Sequence, residues 1–282
     1  MNDEAVEPVI RRIMVALDAS KHSLAALEAA SELADALKAE LMGIFVEDIN
    51  LLHLAGLPFA REIRYLSLLE QPLSSVDMER ALRVQAAQIR QTLASVAARR
   101  QLRWSFRVLR GRVAAELLTA AQEADILALG RASSATTRRV RLGATARIVV
   151  AEATRAVLLL QHGHAICQPV QVVYDGSTAA RRALATAVRL APTVGGQLTV
   201  IIPAEAPETA QRLQEEASQW LQEQEAQVHY RQLISPTAHA LAHAVRVAGG
   251  GTLIISAQDP LLEGDGLYTV LEAVDCSALL VR

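Results

Sequence analysis

The run IMVALDAS from Ile13 to Ser20 returns as VQVVYDGS from Val170 to Ser177. Two further runs return in the same order. DILALG (Asp125 to Gly130) recurs as GTLIIS (Gly251 to Ser256), and RAVLLL (Arg155 to Leu160) as CSALLV (Cys276 to Val281). Three matched apolar runs in one order indicate a duplicated unit, and both copies should then fold alike.

Each run is short, continuously apolar and rich in β-formers, which suits strands covered by helices on both faces of a parallel sheet. Between the runs, Leu24, Leu27, Leu33 and Leu37 follow Ser20, and Leu184, Val188 and Leu190 follow Ser177. These are amphipathic helical patterns, each led by a serine that can cap the helix. In the first half the pattern predicts strands near 11–17, 41–46, 103–109, 125–130 and 156–161, with helices near 20–38, 75–100, 112–123 and 144–152. In the second half it predicts strands near 170–174, 197–202, 227–233, 252–256 and 277–281, with shorter connections. The expected fold class is α/β, with two open, mostly parallel five-stranded sheets flanked by helices. The expected domains are 1–162 and 168–282, divided by a linker from Gln161 to Pro169 that contains Gly163. The segment Asp48 to Leu73 has no counterpart in the second half. Leu51, Leu52, Leu54 and Phe59 make it too apolar for a solvated loop. It should pack over a site or, the favoured reading, against a partner.

Composition narrows the function classes. A chain of 282 residues that is 51% apolar can bury a core, and a net charge of -2 offers nucleic acid no general attraction. No run of Lys and Arg would dock on a membrane, and no apolar run approaches the roughly 18 residues of a membrane span. The start of the chain, with Asp3, Glu4 and Glu7, lacks the basic-then-apolar pattern of a secretory signal. Cys167 and Cys276 are isolated, which suits a reducing compartment. The expected location is the cytoplasm. The Gly-x4-Gly-Lys-Ser/Thr loop, a Gly-x-Gly-x-x-Gly turn after the first strand and the Ser-Gly-Gly-x-Asp signature are all absent from the sequence. His162 and His164 sit in the linker, and His239 and His243, one helical turn apart, have no third ligand in view.

In an open parallel sheet, ligands bind beyond the carboxyl ends of the strands. Asp18 follows the first strand there, and Gly130 ends the fourth. From Gly130 to Thr145 the chain holds Arg131, Arg138, Arg139 and Arg141, and there is no acidic residue between Asp125 and Glu152. A glycine lets backbone amides approach phosphate, a helix start offers unpaired N–H groups, and arginines neutralise charge, so this stretch could hold a polyphosphate. The same residues would equally serve as a turn and a solvated basic surface.

The arrangement resembles the universal stress protein family. Its nucleotide-binding members carry Gly, two residues, Gly, nine residues, then Gly-Ser or Gly-Thr after the fourth strand. Here those positions are Gly130, Ser133, Gly143 and Ala144, so two of the four depart from the pattern, with Thr145 supplying a hydroxyl beside Ala144. The resemblance spans nearly the whole chain and implies a tandem protein that forms an intrachain pseudo-dimer through its last strands. It further implies that Asp18 and Ala19 lie beside a nucleoside and that a backbone group of Val46 meets adenine. Gly130, Arg131, Ser133, Gly143, Ala144 and Thr145 would then surround the phosphates. The implied cofactor is ATP or a related adenine nucleotide, with Mg as its counter-ion.

The second half lacks that loop. Eight positions separate Ser256 from Gly264, against thirteen from Gly130 to Gly143, and the remainder carries Asp259, Glu263 and Asp265 with no basic residue. Carboxylates there would repel phosphate, so the second half reads as scaffold. The leading functional reading is a stress-response regulator that binds nucleotide in its first half and meets an unknown regulatory protein partner. Homodimerisation would run through the 48–73 insertion. The second reading is an interaction scaffold with an empty remnant site, and the third a slow ATP hydrolase.

Overall fold

The computed structural model describes residues 10–63, 70–131, 142–161, 166–222 and 227–282. In the first half the order is β1 (Arg12–Ala16), α1 (Lys21–Leu37), β2 (Glu40–Asp48), α2 (Ile49–Ala55), β3 (Arg61–Ile63), β4 (Glu70–Pro72), α3 (Ser75–Arg99), β5 (Trp104–Gly111), α4 (Val113–Ala121), β6 (Ile126–Arg131), α5 (Ala144–Glu152) and β7 (Ala156–Gln161). The second half continues with β8 (Val170–Val173), α6 (Thr178–Leu190), β9 (Gln197–Pro203), α7 (Pro207–Leu221), β10 (Gln227–Leu233), α8 (Ala238–Val247), β11 (Thr252–Ser256), α9 (Gly266–Ala273) and β12 (Ser277–Val281).

The two expected five-stranded sheets join into one. Strand order is β10-β9-β8-β11-β12-β7-β6-β1-β2-β5. Every neighbouring pair in it is parallel except β12 with β7, which run antiparallel with Leu279 opposite Leu158. That single antiparallel seam is the mark of a pseudo-dyad: each half contributes its last strand. Both faces of the sheet are covered by helices. One layer packs residues of α1, α3, α6 and α7 and the other residues of α4, α5, α8 and α9, and each layer runs through both halves. The seam is therefore core, and the strands read as continuous apolar runs because neither face is wet.

Local signals account for the element ends. Ser20 caps α1 by accepting from the Ser23 N–H, and Ser177 caps α6 by accepting from the Ala180 N–H. Strand β5 lies at the edge of the sheet and is lined by Arg107, paired to Glu123, and Arg110, paired to Glu47 and Glu79. Such exposed pairs add little stability, but they discourage another strand from adding to the edge. Among the described residues, no helix is long and apolar enough to cross a membrane.

Candidate functional site

The carboxyl ends of β1, β2 and β6 border a cavity of about 560 Å³, a volume typical of small-molecule sites. Asp18, Val46, Gly130, Gly143, Ala144 and Thr145 all line it, so most of the residues singled out from the sequence converge. The insertion contributes as well: Asp48 and Leu51 form part of the wall, beside Leu82 and Gln85 of α3. Asp48 caps α2 by accepting from the Asn50 N–H at 2.9 Å, which turns the chain at the cavity rim. Leu54, Leu57 and Phe59 follow on exposed positions. The segment thus walls the cavity with its first turn and leaves apolar surface beyond it.

Asp18 is held by its own turn. Its Oδ1 accepts from the Ser20 N–H at 2.9 Å, and its N–H donates to Ser23 Oγ at 3.3 Å. Burial alone would push its pKa up, but the hydrogen bonds from Ser20 and Ser23 outweigh it, leaving the carboxyl below its ordinary value and ionised. Gln85 Nε2 donates to the Asp18 carbonyl at 2.9 Å and ties α3 to the same turn. Ala19 does not line the cavity; it shapes it, with a φ of 61° that few residues bearing a Cβ adopt.

Val46 is placed by the uneven lengths of two strands. The Leu17 N–H donates to the Ile44 carbonyl at 2.8 Å, the last bond between the β1 segment and β2. Backbone direction repeats every two residues along a strand, so the N–H and C=O of Val46 point to the same side, beyond the end of β1 and over the cavity. In the second half the Tyr174 N–H donates to the Ile201 carbonyl at 2.9 Å in the same way. Two residues on, where the first half has Val46, stands Pro203, which has no N–H to offer. That difference is readable in the sequence once the strands are aligned, yet residue spacing alone did not reveal it.

Of the expected phosphate residues, Gly130 lines the cavity and also serves packing, whereas Arg131 does something else. A Cβ at Gly130 would lie 2.6 Å from the His22 carbonyl oxygen and 3.1 Å from the Ser23 nitrogen. Gly130 is therefore required by the close approach of β6 to the first turn of α1. Arg131 is fully buried and turned away from the cavity. Its Nη1 donates to the Cys276 carbonyl at 2.9 Å and its Nη2 to the carbonyls of Leu271 and Val274, all in the second half. Burial lowers its pKa from the ordinary value. The expectation that Arg131 neutralises phosphate is corrected here: its charge is spent on carbonyl oxygens at the end of α9. Ser133, with Arg138, Arg139 and Arg141, lies outside the described residues. Gly143 caps α5 at a φ of -60°, and a Cβ there would meet nothing within 4 Å. The N–H groups of Ala144 and Thr145, on the first turn of α5 at the cavity wall, have no partner within the helix.

In the corresponding region of the second half, α7 packs against the end of β8. Tyr174 Oη and Glu216 Oε1 of α7 are 2.8 Å apart, and Arg181 joins the same carboxylate at 2.7 Å. Leu213 of α7 lies 2.7 Å from where a Cβ of Gly176 would be, so α7 packs onto the turn after β8. Asp259 is buried beyond β11 and accepts from the Leu261 N–H at 2.9 Å. Burial, with the Asp175 carboxylate adding to it, pushes its pKa up to about 6. A carboxyl whose folded pKa exceeds its unfolded value stabilises below the unfolded pKa and loses that contribution as pH rises through the folded one. Asp259→Asn should therefore raise the melting temperature at pH 7.5 and not at pH 4. The gap closes between those values, with at most about 3 kcal/mol involved. Melting curves of both proteins across that range check this; equal curves at pH 7.5 contradict it.

The family model of the universal stress proteins matches residues 10–161. The structure is similar to that of a universal stress protein from Archaeoglobus fulgidus DSM 4304, at 15% identity and a TM-score of 0.77, over 96% of this chain and 98% of that one. It is also similar to a functionally unknown protein from Pseudomonas aeruginosa PAO1, at 15% identity and a TM-score of 0.65, over 98% of this chain and 93% of that one. No curated protein matches the chain. With the duplicated strand order, the antiparallel seam and the family match in hand, this chain belongs to the universal stress protein family, as a tandem member.

Proposed function

We propose that the first half binds ATP or a related adenine nucleotide and that this stress-response protein is a regulator in the cytoplasm, its nucleotide changing how it meets a partner. One observation carries the reading. A single cavity joins the ionised Asp18, an outward-facing backbone at Val46 and the open first turn of α5. A carboxylate suits ribose hydroxyls, a strand edge suits the hydrogen-bonding face of a purine, and a helix start suits phosphate. Any Mg would arrive with the phosphates. Homodimerisation through the exposed residues of the insertion belongs to the same proposal.

Val46→Pro gives the first half the residue that stands in the second. It removes the N–H that would meet adenine and no bond of the β1–β2 ladder. Calorimetry of the nucleotide-stripped chain should find one ATP per chain at roughly micromolar Kd, weakened about tenfold or more in the variant. No binding to the unaltered chain, or equal binding to both, overturns the reading. The first outcome would favour the scaffold, which the withdrawal of Arg131 from the cavity also supports.

A further inference from the structure

We infer that the second half positions the first half's site: a set of contacts exchanged across the pseudo-dyad fixes α5, whose amino-terminal turn walls the cavity, and links that turn to α9. The bearing on nucleotide affinity rests on the reading above; the mechanical support does not.

Ala156 of β7 and Ser277 of β12 are the first residues of the equivalent last strands of the two halves. Six residues earlier in each half stand Val150 of α5 and Leu271 of α9, which are therefore equivalent. Arg131, at the end of β6 in the first half, donates to the Leu271 carbonyl in the second. Arg282, just past β12 in the second half, donates to the Val150 carbonyl in the first. Each half thus sends one arginine into the other to satisfy the same carbonyl of the equivalent helix. Helix ends leave their last carbonyls without partners and carry partial negative charge, so a guanidinium is the fitting donor.

A third tie joins the two helices directly. The Arg147 guanidinium of α5 lies 4.4 Å from the ring centroid of Tyr268 on α9. Tyr268 Oη donates to the Arg147 carbonyl at 3.4 Å, and Arg147 Nη1 lies 3.6 Å from Glu272 Oε1. Helix α5 is therefore held at its middle and its carboxyl end by residues of the second half. Its other end, Ala144 to Ala146, borders the cavity. Arg131 is the last residue of β6 and follows Gly130, which also lines the cavity. The contacts run from the cavity wall through α5 to α9. Tyr268 and Arg282 are positioning residues, since neither lines the cavity.

The test uses the full chain without nucleotide. In a Tyr268→Ala, Arg282→Ala double variant, amide hydrogen exchange across α5 should quicken about tenfold, with α1, β9 and β10 unchanged. Tyr268→Phe alone, which keeps the ring over Arg147, should leave α5 near its original rate. Unchanged exchange on α5, or equal acceleration in every element, overturns the proposal. ATP titration of the same double variant should show affinity lowered by a similar factor, while unaltered affinity beside a loosened α5 overturns the link to the site. If the unaltered chain binds no ATP, the nucleotide reading fails, and the exchange on α5 still decides whether the second half supports the first.

Discussion

Gly130→Ala should lower the melting temperature by roughly 5 °C or more, the effect of about 2–3 kcal/mol in a chain of this size. The added methyl would sit 2.6 Å from the His22 carbonyl oxygen and 2.7 Å from the His22 carbonyl carbon. Those atoms are backbone of the first turn of α1 and cannot swing aside as a flexible side-chain tip would. Relief requires α1 to move off β6, and the start of α1 holds Asp18: the Ser20 N–H donates to its carboxylate, and Ser23 Oγ accepts from its backbone N–H. Stability and ligand affinity should therefore fall together. A phosphate-approach role alone would leave the melting temperature unchanged, and scanning calorimetry separates the two.

Arg131→Ala should cost about 3 kcal/mol or more, for a reason opposite to the one its sequence position suggests. The change leaves the Cys276, Val274 and Leu271 carbonyls without their donor and opens a cavity where a large side chain is fully buried. A phosphate-binding arginine would give a different result, with affinity lost and stability kept. Arg131→Lys should fall between wild type and Ala, because an ammonium cannot span three carbonyls as a planar guanidinium does. Thermal melts with ATP titration well below the transition distinguish the cases. A variant as stable as wild type that fails to bind ATP contradicts the assigned role.

Most of the fold was legible because the strands of a doubly covered parallel sheet announce themselves as continuous apolar runs, and duplication let each half check the other. Predicted strands near 125–130 and 277–281 stand at Ile126–Arg131 and Ser277–Val281. The joining of two sheets was readable only through the family resemblance, because a seam between equivalent strands has no local signature. The short helix Ile49–Ala55 went unread within the insertion, since seven residues are too few for a periodicity to emerge. Of the cavity residues, Asp18 was found from its place after a strand, and Val46 and Gly143 through the family resemblance. Arg131 was misassigned in role because its place in the sequence fixes where its backbone lies and leaves open where its side chain points. Leu51 stood out only as part of an apolar insertion, and Leu82 and Gln85 carried no signal: a wall built from an insertion and a distant helix appears only when the chain is folded.

The most direct measurement of the central claim, that one half holds a nucleotide site and the other does not, is photolabelling of the full chain with an azido-adenine ATP analogue followed by peptide mapping. The label should fall on the peptide spanning β2, around Val46, and excess ATP should prevent it. Label on the β9 peptide around Pro203, or none that ATP competes away, would contradict the claim.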